Sequence, residues 1–289
     1  MGNKIKCLVT GHRGYIGSHL FAALNEDSKY EVHGIDLKEG NDILHCLPDE
    51  DYDCVFHLAA LPRVEYSVDN PFYTMKQNVL VTSKMLEWSR DHKVKKFIFS
   101  SSSAIYGDGK GPKSPYGLHK LISEMECDLY QELFNIRCVC LRYFNVYSED
   151  QEYGGSYSTV ISAWMHMIEQ NKPLRIDGTG NQSRDFIHVS DVVSANIWCM
   201  KNIESIDKLW YDVGFGETCS LNDIKQIVDK YNDVEWQSSP PRPGDVDHTE
   251  IGSQRLQTKG WKPKIDLNTG LEKCFKNQNN LLYSLTNDK

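Results

Sequence analysis

From Lys4 to Tyr143 the chain alternates short, β-rich apolar runs with stretches of helical periodicity, and this alternation restricts its fold more than any other feature. A strand that is apolar on both faces needs cover on both, which the intervening helices supply, so the pattern predicts an α/β fold with a doubly wound parallel sheet. Lys4 to Thr10 reads as the first strand, Tyr15 to about Glu26 as a helix, Tyr30 to Asp36 as the second strand and Asp53 to Leu58 as a fully apolar third. Phe72 to about Lys93 and Pro115 to about Phe134 read as helices, Val94 to Ser101 and Ile136 to Tyr143 as strands. Beyond Val146 the chain is punctuated by Gly154-Gly155, by Asp177-Gly178-Thr179-Gly180 and by the Pro-rich stretch Ser239 to Gly244. A smaller α/β C-terminal lobe is therefore expected. The boundaries predicted are residues 1–147 for the first domain, with about 185–215 returning to it, and 148–184 with 216–289 for the second lobe.

Thr10-Gly11-His12-Arg13-Gly14-Tyr15-Ile16-Gly17 leaves a strand and opens a helix. Glycines there let a pyrophosphate approach backbone N–H groups at a helix N-terminus, although the same residues also make a tight turn with no ligand. Asp36 decides between the two, because it closes the second strand about 20 residues on, where a carboxylate can accept both adenosine ribose hydroxyls. Together these features predict a Rossmann-type dinucleotide site. The same carboxylate repels a 2'-phosphate by roughly 4 kcal/mol at about 4 Å and an effective dielectric near 20, which favours NAD over NADP. Arg13 weighs the other way, since a cation in the glycine turn can grip that phosphate. Asn41-Asp42-Ile43 follows Asp36 too soon for a long crossover helix, and the small residues of Leu58-Ala59-Ala60 after a buried strand would let the cofactor pass close to backbone.

The net charge of −8 speaks against nucleic-acid or anionic-membrane partners, which would select for a basic face. Nine cysteines without a C-x-x-C pair suit a reducing compartment better than a disulfide scaffold or a structural metal site, so no metal is expected. No apolar run approaches the roughly 18 residues of a membrane span. A cytoplasmic protein is the resulting expectation.

Tyr116-Gly117-Leu118-His119-Lys120 places a phenol and an ammonium four residues apart, on one face of a helix. Many helices carry such a pair merely as an amphipathic feature. Beside a dinucleotide it permits chemistry: the ammonium and a cationic nicotinamide both favour the phenolate, each unit of pKa depression being about 1.4 kcal/mol. A phenolate can take the proton of a substrate hydroxyl while hydride leaves the same carbon. Ser100 to Ser103 precede this helix, and Ser102 is the serine chosen to share that proton; a serine run can also serve only its own turn.

These elements together resemble the extended short-chain dehydrogenase/reductase family, and within it the nucleotide-sugar 4-epimerases. The resemblance spans nearly the whole chain. It rests on Gly11 to Gly17, Asp36, Asp42-Ile43, His57 to Ala60, Asn78, Ser100 to Gly107, Tyr116 with Lys120, Arg142 to Tyr147, Ser183 to Val189 and Arg242 to Val246. It implies that Gly11, Gly14, Tyr15, Ile16, Gly17, Asp36, Leu58, Ala59, Ala60, Asn78, Tyr116, Lys120 and Tyr143 hold NAD, with Asp42 and Ile43 flanking adenine. It implies that Asn145 faces the substrate's nucleotide and that Asp245 holds its ribose. Arg184 and Arg242 would neutralise its pyrophosphate. The stretch Gly154 to Ile161, with Val160, is similar to the uridine-facing segment of UDP-N-acetylglucosamine 4-epimerases. Thr249 falls where a large tyrosine narrows the sugar pocket in some epimerases; a small side chain permits N-acetylated sugars or uronic acids without requiring them. A homodimer through the helices near 72–93 and 115–134 is implied as well.

Within the resembled family, nucleotide-sugar dehydratases carry an acidic pair at the positions of Ser103 and Ala104, and GDP-fucose synthases a thiol at that of Ala104. This chain has neither, and simple 4-epimerisation through a 4-keto intermediate needs neither. The expected activity is NAD-dependent 4-epimerisation of a UDP-sugar, of the glucose/galactose or N-acetylglucosamine/N-acetylgalactosamine type. The alternatives are an NADP-dependent 4-ketoreductase of a deoxysugar, a UDP-glucuronate 4-epimerase and a non-catalytic NAD-binding protein. Two departures bear on substrate fit: only nine residues separate Tyr106 from Tyr116, and Ser148 replaces the family glycine after Tyr147.

Overall fold

The computed structural model describes residues 4–154, 159–240 and 254–276. In chain order the elements are β1 (Ile5–Thr10), α1 (Tyr15–Glu26), β2 (Tyr30–Ile35), β3 (Cys54–His57), α2 (Val64–Asp69), α3 (Pro71–Met75), α4 (Val81–Asp91), β4 (Lys96–Ser102), α5 (Pro115–Phe134) and β5 (Arg137–Tyr143). They continue as β6 (Asn145–Tyr147), α6 (Val160–Glu169), β7 (Leu174–Asp177), β8 (Ser183–His188), α7 (Val189–Lys201), β9 (Trp210–Val213), β10 (Thr218–Ser220), α8 (Leu221–Tyr231), β11 (Trp236–Ser239), α9 (Arg255–Thr258) and α10 (Leu267–Lys276).

The first unit holds residues 1–143, 192–213 and 253–262. Its six strands are all parallel in the order β2-β1-β3-β4-β5-β9. β3 is buried along its whole length, as a central strand covered on both faces must be. Leu8, Val55, Phe97, Phe99 and Cys140 pack there with Met85, Leu86 and Trp88 of α4. The register sets Thr10 beside His57, His57 beside Phe99 and Ser102 beside Tyr143, so the glycine turn, the 58–61 loop and the serine run all leave the same carboxyl edge of the sheet. Ligands of open α/β sheets bind along that edge.

The second unit holds residues 144–191, 214–252 and 263–289. It contains a three-stranded sheet ordered β10-β8-β6, a parallel pair of β11 with β7, and a core of Tyr147, Ile161, Trp164, Phe186, Leu271 and Phe275. The division departs from the boundaries read in the sequence. The first unit ends at Tyr143 instead of 147, because Asn145 to Tyr147 pair with Phe186 to His188 in the second unit's own sheet. The returning segment accordingly begins at Val192, and residues 253–262 return as well.

The continuous helix expected over Phe72 to Lys93 is interrupted. A π-helical turn, Lys76–Leu80, separates α3 from α4, and α2 precedes them unforeseen. Among the described residues no helix is long and apolar enough to cross a membrane, and no cluster of three or more His, Cys, Asp or Glu is placed to hold a metal ion.

Candidate active site

At the end of β1 the backbone turns at Gly11 with φ +74°, and a Cβ there would stand 2.7 Å from the Ala59 nitrogen. A Cβ on Gly17 would lie 2.1 Å from the Gly11 carbonyl oxygen, so neither position has room for a side chain. Gly14 is the N-cap of α1, contributes no capping side chain, and is followed by no acidic residue in the first turn formed by Tyr15, Ile16 and Gly17. The positive end of the helix is thereby left to an anion. These features fit the pyrophosphate of a dinucleotide.

Asp36 follows β2 and is 8% exposed. One carboxylate oxygen accepts the Arg13 N–H at 2.8 Å, the other the Lys38 N–H at 2.9 Å. The carboxylate thus stands against the glycine turn, where it can also meet ribose hydroxyls. Only one 3₁₀ turn, Leu37–Glu39, follows it, and there Glu39 accepts from Arg13 Nε at 2.6 Å. That guanidinium holds the Glu39 carboxyl below the usual carboxylate range. Farther along, Asp42 accepts the Leu44 N–H within its own turn while Ile43 is buried in the core.

The 58–61 loop is held by a chain of bonds that the sequence did not disclose. Asn78, in the π-helical turn, accepts the Leu61 N–H at 2.7 Å and donates to the Leu61 carbonyl at 3.1 Å. Thr82 donates to the Asn78 carbonyl, so it must accept from Nε2 of His57; Nδ1 of His57 then accepts from Thr10, whose oxygen takes the Ala59 N–H. Burial, with a contribution from the Lys120 charge, pushes the His57 pKa down to about 3, and the ring is a neutral connector. Its signal in the sequence was a polar residue closing an otherwise apolar run.

Helix α5 starts sharply because Ser114 caps the Gly117 N–H and Pro115 needs no donor. Tyr116, Lys120 and Glu124 recur every four residues and all three are buried. Gly117 passes so close to the turn after β4 that a Cβ would lie 2.5 Å from the Ala104 carbonyl oxygen. Lys120 Nζ donates to the Ser100 carbonyl at 2.6 Å and lies 5.9 Å from the centre of the Tyr116 ring. Burial lowers its pKa to about 8, against a raising influence from Glu124. Ser102 accepts the Ala104 N–H at 3.2 Å, which leaves its hydroxyl proton to donate elsewhere.

Beneath these groups lies an ionic network that sequence reasoning missed. Glu124 accepts from Ser101 Oγ at 2.6 Å and from Arg142 at 2.9 and 2.6 Å. Arg142 also donates to the Tyr106 hydroxyl, which donates to Asp212. The pair braces α5 against the residues just before Ser102 and Tyr143. Tyr143 is buried and its hydroxyl donates to Asn196 at 2.9 Å. The short stretch after Tyr106 folds as a compact turn in which Gly109 and Gly111 both donate to the Tyr106 carbonyl.

In the second unit, Asn145 donates to the Asp185 carbonyl at 2.9 Å, and Arg184 donates to the neighbouring Ser183 carbonyl. Val160 opens α6 behind the Thr159 cap. Ser148, in the place of the family glycine, is buried and donates to Asp150. Arg242, Asp245 and Thr249 lie outside the described residues, as do positions 155–158.

A six-stranded parallel sheet whose carboxyl edge carries a glycine turn, an acidic strand end and a buried Tyr-Lys helix face defines a dinucleotide-dependent enzyme of the short-chain dehydrogenase/reductase class. The family described as the NAD dependent epimerase/dehydratase family matches residues 7–214, and the chain belongs to it, in its extended branch. It is 35% identical over 240 residues to the Bacillus subtilis protein named uncharacterized UDP-glucose epimerase YtcB, covering 70% of this chain and 72% of that one. Among solved structures it is similar to UDP-N-acetylglucosamine 4-epimerase from Methanobrevibacter ruminantium in complex with UDP-N-acetylmuramic acid (28% identity, TM-score 0.84, 98% of this chain and 100% of that one). It is likewise similar to UDP-glucuronic acid 4-epimerase from Bacillus cereus in complex with UDP-glucuronic acid and NAD (30% identity, TM-score 0.83, 96% and 100% covered).

Proposed function

We propose that the protein interconverts the 4-epimers of a UDP-sugar, of the glucose/galactose or N-acetylglucosamine/N-acetylgalactosamine type, with a tightly held NAD. The observation that supports this reading is the docking of α5, in which Lys120 Nζ donates to the Ser100 carbonyl and Gly117, next to Tyr116, abuts the Ala104 carbonyl at the sheet edge that also bears the glycine turn. NAD, when bound, would supply the reversible acceptor for the hydride of carbon 4. The Tyr116 phenolate takes the proton of the 4-hydroxyl, Ser102 donates toward the same oxygen, and Lys120, charged below about pH 8, favours the phenolate. The resulting 4-keto sugar turns its other face, and Tyr116 returns the proton. Ser103 and Ala104 offer neither the acid pair nor the thiol that dehydration or 3,5-epimerisation would use.

Asn145, Val160 and Arg184, with Arg242, Asp245 and Thr249, are proposed to receive the nucleotide and sugar. Incubation with UDP-glucose, UDP-N-acetylglucosamine and UDP-glucuronate, each with a trace of NAD, followed by chromatography tests the reading. A 4-epimer should appear with one of them and be lost in Tyr116→Phe; consumption of stoichiometric NADPH would instead identify a ketoreductase. A cytoplasmic homodimer belongs to the same proposal. Phe72, Leu118, Met125, Leu129 and Leu133 are exposed in the first unit, an apolar surface of the kind that a second copy covers. Light scattering should give twice the chain mass, and a monomer would refute that part.

A further inference from the structure

Asp36 is the residue expected to choose between NAD and NADP, yet the structure surrounds it with a second acidic device. Arg13 stands in the glycine turn with its side chain 59% exposed, the position from which a cation could take a 2'-phosphate. Its backbone N–H already serves Asp36, and its carbonyl accepts from Lys38 Nζ at 2.9 Å, so its backbone is anchored while its side chain reaches outward. What it meets is Glu39. One carboxylate oxygen takes Arg13 Nε at 2.6 Å; the other lies 3.3 Å from Nε2 of His12, a ring packed so tightly that a Cβ on Gly34 would stand 2.4 Å from it. Glu39 is itself fixed in the 3₁₀ turn that Asp36 caps. The acceptor, its support and the captured cation are therefore all built from the chain that lines the adenosine ribose position.

We infer that Glu39 is a cofactor-specificity residue: it engages the arginine of the glycine turn and adds a second negative charge beside Asp36, so that a 2'-phosphate would meet Arg13 already paired, with Lys38 Nζ already bonded to the Arg13 carbonyl. The inference rests on the NAD reading above and extends it to a residue outside the dinucleotide fingerprint. With Nε on Glu39, Arg13 cannot use the side-on fork of Nε and a terminal nitrogen on a phosphate, and only its two terminal nitrogens remain for one. An exposed ion pair is weak, so Glu39 modulates a preference that Asp36 sets.

The test is a titration of both cofactors against the full-length protein, followed by intrinsic fluorescence, for the parent, Glu39→Gln and the double variant Glu39→Gln/Arg13→Gln. Glu39→Gln should raise the affinity for NADP relative to NAD by roughly tenfold, the scale expected for freeing a cation and removing one charge near the phosphate. The double variant should lose most of that gain. Circular dichroism reports whether each variant is folded, and Glu39→Asp, which keeps the charge on a shorter arm, provides a second folded comparison that should stay close to the parent. An unchanged ratio in Glu39→Gln, or a gain that survives in full without Arg13, overturns the inference. If the parent binds neither cofactor or prefers NADP, the NAD reading itself fails, which is a distinguishable outcome.

Discussion

Glu124→Gln removes one charge and keeps the size of the side chain, and it strikes the network on which helix α5, the proposed carrier of Tyr116 and Lys120, rests. Glu124 and Arg142 retain 3% and 7% of their side-chain exposure. With the carboxylate neutralised, the guanidinium stays buried without a full counter-charge, and breaking such a pair costs about 3–5 kcal/mol. The Tyr106 hydroxyl still accepts from Arg142, and the Gln amide oxygen still accepts one bond, which places the expected loss near the lower figure. That is a large share of a typical stability of about 5–15 kcal/mol. Urea unfolding followed by far-UV circular dichroism measures it, with turnover recorded below the transition, where a shifted α5 should lower kcat more than it changes KM. A second variant separates pairing from bulk. Replacing both members by apolar residues, Glu124→Leu/Arg142→Met, removes the charge imbalance and should cost clearly less than the sum of the single changes, the Ser101 hydroxyl then losing an acceptor worth about 1 kcal/mol. A Glu124→Gln protein within about 1 kcal/mol of the parent would refute the reasoning, as would strict additivity.

Lys120, its pKa lowered by burial to about 8, carries its full burial cost below that pH; from there to the ordinary lysine range near 10.5 the unfolded chain binds more protons. The stability of the parent should therefore rise with pH over that window relative to Lys120→Met, by about 1.4 kcal/mol per unit of depression, whereas parallel pH curves would contradict the assignment. Turnover should fall on the alkaline side as the same charge is lost. Thr10→Val strips the His57 Nδ1 of its donor and the Ala59 N–H of its acceptor, and should cost about 1–3 kcal/mol in urea unfolding while weakening NAD in a fluorescence titration. Gly17→Ala drives a methyl toward the Gly11 carbonyl and should abolish measurable NAD binding; retention of the parent affinity would show that the turn can yield.

Much of the first unit was legible because its signals are local. Helix α5 was read with both ends in place: proline stands at its first position, and Asn135 at φ 58° stops it. The buried strands announced themselves as continuous apolar runs, and the glycine turn and Asp36 by their spacing. The π-helical turn at Asn78 was not legible, since its cause is a partner in another loop, Leu61, and helical periodicity continues through it. Arg142 stood in the sequence only within a family marker and Glu124 carried no signal; the parallel pairing of β4 with β5 sets Arg142 beside Ser101, and the docking of α5 brings Glu124 to both. Glu39 carried no signal at all, because nothing in its neighbourhood in sequence points to Arg13. In the second unit, three-residue strands such as β6 and β10 are too short to carry periodicity, and the first domain was accordingly extended past Tyr143.

The central claim is that hydride leaves carbon 4 and returns to that same carbon inside one protein molecule, with Tyr116 moving the proton. A UDP-sugar carrying deuterium at carbon 4 tests this most directly. Run to equilibrium with sub-stoichiometric NAD, the epimer should keep the deuterium at carbon 4 and none should reach solvent or free NADH. Loss of the label from the epimerised product, or its accumulation in released cofactor, would contradict the account.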